Sequence, residues 1–247
     1  MNEKEPLIDL LIHDLTGPLS IVLASVNSLL NKEDKYGPIT DLQRKTLERI
    51  LRNSQKAQDF LHEMIEVYRS EEGLFRKEHC LIEQILRESL IDALGLIEPH
   101  IAEKLCSTSQ GNEFQDILKE NGIFAEVTGR YSASPFFHDQ KKVQQILRNL
   151  ITNALKYRRK RMKVAIHGDM DLIISVEDDG TDIPKEKQDY IFTRFFRMKD
   201  KTHADIRGLG FGLSCVKALV ETMKGEIILV SGEGTGTCFT VRIPPLE

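Results

Sequence analysis

Tryptophan is absent from this 247-residue chain, and aromatic residues make up only 6% of it. A platform for stacking the bases of a single nucleic-acid strand is therefore poorly supplied. A basic excess is missing too. Thirty-four Lys and Arg against 38 Asp and Glu leave a net charge of −4, which speaks against a nucleic-acid binder that works by neutralising phosphates. The four cysteines (Cys80, Cys106, Cys215 and Cys238) stand far apart with no CxxC pair. They read as reduced, mostly buried thiols of a cytosolic protein, and no Cys/His cluster has the spacing of a zinc site. Apolar runs are only a few residues long, so no membrane segment is expected. Met1-Asn2-Glu3-Lys4 lacks the apolar core of a secretory signal, and the expected location is the cytoplasm.

What is present suits a soluble globular protein: 40% apolar and 29% charged residues, with enough length to bury a core. Ile8, Ile12, Leu15, Leu19, Val22, Val26 and Leu29 recur at alternating spacings of 4 and 3, a heptad seam on one helix. Asn31 to Thr40 interrupts it, with Gly37-Pro38 as punctuation. Leu47, Leu51, Ser54, Ala57, Leu61, Met64 and Tyr68 continue on a second helix. A lone hairpin leaves the flanks of such a seam wet, so a second hairpin should pair with it in a dimeric four-helix bundle. An ordinary helical arm packed on its own domain is the alternative.

The pattern changes after Glu71-Glu72-Gly73. A helical stretch over about 80–105 precedes a polar segment at 107–113 and another helical piece. Ile123 to Val127 reads as a strand, and about 139–159 as a helix. Lys163–Ile166 and Leu172–Glu177 form a hairpin-like strand pair. A helix over about 211–223 precedes strands Glu226–Val230 and Thr237–Ile243. This mixture without regular βαβ alternation implies an α+β layer, a sheet with helices on one face. Two domains follow, 1–74 and 75–247.

Three segments carry chemistry. On the helix around Asn149, residues Lys142, Gln145, Asn149, Asn153 and Lys156 share one stripe, opposite an apolar face of Leu147, Leu150, Ile151, Ala154 and Leu155. Asn costs a helix about half a kcal/mol relative to Ala, so two of them four residues apart suggest a use. Their carbonyl oxygens suit a hard cation such as Mg2+, which draws other ligands from phosphate, and Lys156 could meet that phosphate. A solvated polar stripe is the plain alternative. In Val176-Glu177-Asp178-Asp179-Gly180-Thr181-Asp182-Ile183-Pro184, a strand runs into an acidic turn. Asp178 there is an acceptor that could pair with the amine of adenine, and Gly180 would let the base approach. An ordinary Asp-Gly turn is the alternative. In Arg207-Gly208-Leu209-Gly210-Phe211-Gly212-Leu213-Ser214, glycines at every second position open a helix whose N–H groups attract phosphate. The similar Gly232-Glu233-Gly234-Thr235-Gly236 lies between two strands and reads as a hairpin turn. The basic run from Lys156 to Lys163 reads as a solvated helix end.

Taken in order, Asn149-x3-Asn153-Ala154-Leu155-Lys156-Tyr157, Asp178-x-Gly180, Ile191-Phe192-x2-Phe195-Phe196-Arg197, Gly208-x-Gly210-x-Gly212 and Gly236-Thr237 resemble the N, G1, F and G2 boxes and closing turn of the histidine-kinase ATP-binding domain. That domain belongs to the gyrase, Hsp90, histidine kinase and MutL superfamily. His13-Asp14-Leu15-Thr16-Gly17-Pro18-Leu19 resembles the H box of its phosphoacceptor hairpin. The resemblance implies a dimeric helical hairpin followed by an α/β-sandwich ATP domain. It implies an ATP-dependent protein histidine kinase that phosphorylates His13, with Asp14 as base, and passes the phosphoryl group to an aspartate of a response-regulator receiver domain. Asn153 would ligate Mg2+, and Asn149 would lie near the γ-phosphate. Lys156 and Tyr157 would contact phosphate and adenine. Asp178 would bind the adenine amine with Thr237 beside it, and Gly180 would admit the base. Gly208, Gly210 and Gly212 would flank a lid at about 197–207.

The residues support the H box independently. His13 follows seam residue Ile12 and so falls just outside the buried stripe. Asp14 can hold one of its ring nitrogens or take its proton. Pro18 removes a helical donor and should loosen the helix nearby. Two positions depart from the family pattern. Asp182 stands where a second G1 glycine is usual, and a carboxylate there should crowd nucleotide. Gly17 replaces the usual Thr or Asn after the phosphoacceptor, which argues against phosphatase activity. The alternatives are a catalytically degenerate histidine phosphotransfer protein of the same fold, and a superfamily ATPase or serine kinase serving as chaperone or anti-sigma switch.

Overall fold

A computed structural model describes residues 5–71, 75–108, 111–193, 212–232 and 234–246, with helical residues 5–13, 33, 56, 59, 60 and 62–71 described by their backbone alone. The chain divides into two compact units, Met1–Tyr68 and Arg69–Glu247.

The first unit is helical. Helix α1 (Glu5–Asn31) runs without a break through Pro18. The expected interruption contains one helical turn, α2 (Glu33–Tyr36), and then α3 (Asp41–Glu71) begins. Thr40 and Gln43 start α3 with a reciprocal capping box. The Gln43 amide donates to Thr40 Oγ1 (3.3 Å) and the Thr40 amide to Gln43 Oε1 (2.8 Å). Leu29 of α1, Tyr36 of α2 and Leu42 and Leu47 of α3 line one cavity of about 530 Å3 at the connection. On α3 the seam residues Leu47, Leu51, Ala57 and Leu61 are half-buried and Ser54 is buried. On α1 Val26 is buried, whereas Leu15 and Val22 remain 49% and 39% exposed. Those two seam residues are not covered by their own chain.

The second unit is an α/β sandwich. Its five-stranded sheet has the order β2-β4-β5-β7-β6, formed by β2 (Ile123–Val127), β4 (Met162–His167), β5 (Leu172–Asp178), β7 (Gly236–Ile243) and β6 (Glu226–Gly232). Only the β2–β4 pairing is parallel; the other three are antiparallel. Alternation sets the faces. Met162, Val164 and Ile166, then Leu172, Ile174 and Val176, then Phe239, Val241 and Ile243 form one buried side. Against it lie α7 (Gln140–Tyr157) and α9 (Gly212–Thr222), which pack on each other, and α4 (Ile82–Ile97) packs on α7; a single helical turn, α8 (Lys185–Gln188), precedes α9 in the chain. Helix α7 buries Val143, Ile146, Leu147, Leu150, Ile151, Ala154 and Leu155. At roughly 1.5–3 kcal/mol per fully buried side chain, this face is the main reason the helix exists.

The expected helix over about 80–105 is two helices. Glu98, with φ −135 and ψ 67, separates α4 from α5 (Pro99–Ser107). Pro99 fits the first position of a helix and disfavours helix in the residue before it. Helix α6 (Asn112–Glu120) follows and packs on β2. A short ladder of β1 (Glu78–Cys80) and β3 (Phe136–His138) was not expected from the sequence. Its first strand follows Arg76, whose amide donates to Asp139 Oδ2 (2.9 Å), while the Lys142 amide donates to Asp139 Oδ1 (3.1 Å). Asp139 thus caps α7 and holds the preceding segment. Among the described residues no helix is long and apolar enough to cross a membrane.

Candidate functional site

The site begins where the buried side of the sheet stops being apolar. Leu172, Ile174 and Val176 of β5 are followed on the same side by Asp178, which is only 5% exposed. Directly across the ladder lies Thr237, 4% exposed, at the matching end of β7. Two polar side chains therefore occupy positions where period-two alternation calls for apolar ones. A buried carboxylate is costly unless it has a task or a partner. Asp178 Oδ1 accepts from the Gly180 amide (2.9 Å). Burial pushes the Asp178 carboxyl up to about 6. The Gly180 amide opposes this, and the charges of Asp179, Glu177 and Asp182 add to it.

Close backbone packing surrounds this carboxylate. A Cβ on Gly180 would lie 2.0 Å from the Tyr157 carbonyl oxygen, so only glycine fits there. Gly236, with φ +77, is equally confined, since a Cβ would stand 1.9 Å from the Asp178 carbonyl oxygen. Asp179 Oδ1 accepts the amides of Arg159, Lys160 and Arg161 at 2.9–3.0 Å. Burial raises that carboxyl, but the three amides together outweigh it and hold it below its ordinary range. This bracket fixes the chain leaving α7 beside Asp178.

Helix α7 brings the remaining residues. Asn149, Asn153, Lys156 and Tyr157 are half-buried along it. A Cβ on Gly212, at the start of α9, would lie 3.9 Å from the Asn149 Cγ and Oδ1 atoms. The end of the glycine-rich segment and the first asparagine are therefore neighbours. The Asn149 and Asn153 carbonyls are hard oxygen donors of the kind Mg2+ accepts. Gln145 departs from the expected stripe, being buried and donating to Cys215 Sγ of α9 (3.3 Å). Ile191 is buried, and the Phe192 ring meets the Phe239 ring edge-on at 6.2 Å, under the Lys217 amine. Phe195, Phe196, Arg197, the expected lid, Gly208 and Gly210 lie outside the described residues. His13 lies on α1, where the backbone alone is described, and Asp14 beside it is exposed.

Asp182 does something the sequence did not suggest. Its Oδ2 accepts the Gly234 amide (2.7 Å) and its Oδ1 the Gly236 amide (3.0 Å). The carboxylate grips the β6–β7 turn. The basic run after α7 is largely paired: Arg158 with Glu98 (2.6 Å), Arg161 with Glu177 (3.7 Å) and Lys163 with Glu126 (2.8 Å).

Comparison with known proteins agrees with this geometry. Residues 138–247 match the family described as histidine kinase-, DNA gyrase B-, and HSP90-like ATPase. Over 99% of its length the chain is 26% identical to the circadian input-output histidine kinase CikA of Thermosynechococcus vestitus. A stretch covering 44% of the chain is 38% identical to the sensor histidine kinase WalK of Bacillus subtilis. The chain spans 31% and 19% of these two relatives. The crystal structure of full-length ShkA in complex with AMPPNP shares the fold, with a TM-score of 0.69 and 20% identity over 97% of this chain and 46% of that one. Residues 138–247 accordingly carry a histidine kinase-type ATPase domain, and the relative that aligns over nearly the whole chain is a histidine kinase.

Proposed function

We propose that the chain is an ATP-dependent protein histidine kinase whose adenine base is read by Asp178. The observation that carries this reading is the Asp178–Thr237 pair closing an otherwise apolar sheet face. An ionised carboxylate there is an acceptor-only group suited to an exocyclic amine. Gly180 and Tyr157 would border the base. Lys156 would meet phosphate, and Asn149, next to Gly212, would lie near the γ-phosphoryl group. Asn153 would hold Mg2+, which supplies charge neutralisation for the phosphates when bound.

The acceptor would be His13. A ring nitrogen bonds to the γ-phosphorus as the bond to the β,γ-bridging oxygen breaks, ADP leaves, and Asp14 takes the ring proton. Positioning and charge stabilisation carry such a transfer. The phosphoryl group would then pass to an aspartate of a response-regulator receiver. Leu15 and Val22, exposed on a heptad seam, support a homodimer in which a second hairpin covers them. The alternative of a decayed phosphotransfer protein rested on Asp182 crowding the nucleotide. Both oxygens of that carboxylate are instead engaged by backbone amides.

The test is incubation of the full chain with γ-labelled ATP beside His13→Gln. Acid-labile, alkali-stable label in the parent and none in the variant is the expected result. Label that persists in the variant refutes the acceptor, and no label in either refutes the kinase reading.

A further inference from the structure

We infer that Asp182 is a positioning residue for the base end of the nucleotide site, holding the β6–β7 turn so that Gly236 and Thr237 stay seated against Asp178. The inference rests on the nucleotide reading above and deepens it.

The lacing between the two loops is specific. Besides the two amides gripped by Asp182, the Ile183 amide donates to Ser231 Oγ (2.8 Å), and Ser231 Oγ donates to the Gly236 carbonyl (3.0 Å). Gln188 Nε2 donates to the carbonyls of Ile183 (2.9 Å) and Ser231 (3.2 Å). Among these contacts only the Asp182 pair is charge-assisted, and such bonds are roughly twice as strong as neutral ones. Both amides belong to left-handed glycines, Gly234 at φ +76 and Gly236 at φ +77. The turn also closes on itself, the Thr235 amide (3.0 Å) and Oγ1 (2.9 Å) both donating to the Gly232 carbonyl, but those bonds leave the two glycine amides to Asp182, and glycine is the residue with most conformational freedom to regain.

The consequence reaches the site within one residue. Gly236 lies tight against the Asp178 backbone, and Thr237 is the cross-strand partner of Asp178. A turn that drifts by a fraction of an ångström moves both. A carboxylate that crowded the base would weaken nucleotide binding; one that braces the wall of the pocket strengthens it. The two roles predict opposite signs for the same substitution.

The experiment is calorimetric titration of the full chain with Mg-ADP, for the parent, Asp182→Gly and Asp182→Asn. Asp182→Gly should raise Kd roughly tenfold, the size expected from losing charged hydrogen bonds. Asp182→Asn, whose single amide oxygen can still accept one N–H, should raise it less. Amide exchange over 232–237 should quicken in the same order, and KM for ATP should rise while kcat for self-phosphorylation stays within about twofold. Asp182→Asn keeps the test alive if the glycine variant does not fold. An unchanged or tighter Kd in both variants, with the parent binding normally, overturns this inference alone. A parent that binds no Mg-ADP overturns the nucleotide reading and this inference with it.

Discussion

Replacing Asp178 by Asn should stabilise the protein while abolishing its nucleotide site. In the folded chain the carboxyl rises from an ordinary 3.8 to about 6, chiefly through burial. At about 1.4 kcal/mol per tenfold change in proton affinity, this amounts to roughly 3 kcal/mol. The sign is fixed by linkage. The native state holds this proton more tightly than the unfolded chain does. Stability present below about pH 4 is therefore given up as pH climbs through 6. Asparagine has no proton to lose, and its carbonyl can still accept the Gly180 amide. In urea unfolding of the full chain, Asp178→Asn should gain on the parent by about 2.5 kcal/mol between pH 4 and pH 8, the penalty left at pH 4 being only about half a kcal/mol. Any fixed cost of the amide cancels in that difference. The same variant should lose Mg-ADP binding, because an amide cannot present the charged acceptor. Parent affinity should rise as pH increases through 6. A stability difference that stays flat from pH 4 to pH 8 would refute the reasoning.

Gly180→Ala should cost roughly 1–3 kcal/mol of stability, since its Cβ must displace the Tyr157 carbonyl 2.0 Å away; a thermal melt and a nucleotide titration check both effects. Leu15→Glu or Val22→Glu should loosen the proposed homodimer. Each residue recurs twice in a symmetric pair, so roughly 2–4 kcal/mol is lost, a thirtyfold or greater weakening measurable by sedimentation equilibrium or light scattering. A parent that is monomeric at all concentrations would remove the basis for that prediction.

How far the residues alone disclosed the molecule depended on where the deciding partner lies. Strand β2 was legible at its observed bounds, Ile123–Val127, and α7 and the β4–β5 pair to within two residues at each end, because their periodicity is local. The seams on α1 and α3 were legible for the same reason. The break between α4 and α5 carried its own signal in Pro99, which an uninterrupted apolar pattern on both sides concealed. The β1–β3 ladder was not legible: three-residue strands have no readable period, and Cys80 pairs with Phe136, 56 positions away.

The site divides in the same manner. The two asparagines stood out because Asn is a poor helix former, Asp178 because it is an acceptor at a strand's end, and Thr237 came only through the resemblance of the closing turn. Gln145 and Asp182 have partners in distant segments, which no local pattern shows. Gln145 sits on the polar stripe by spacing, yet α9 brings Cys215 over it. The two amides that Asp182 holds come from the β6–β7 turn more than 50 residues on.

The most direct measurement of the central claim is a crystal structure of the full chain with a non-hydrolysable ATP analogue and Mg2+. The adenine amine should lie within hydrogen-bonding distance of Asp178, with the phosphates running along α7 toward Asn149 and Gly212. A base seated away from Asp178, or triphosphate bound elsewhere than on α7, would contradict it.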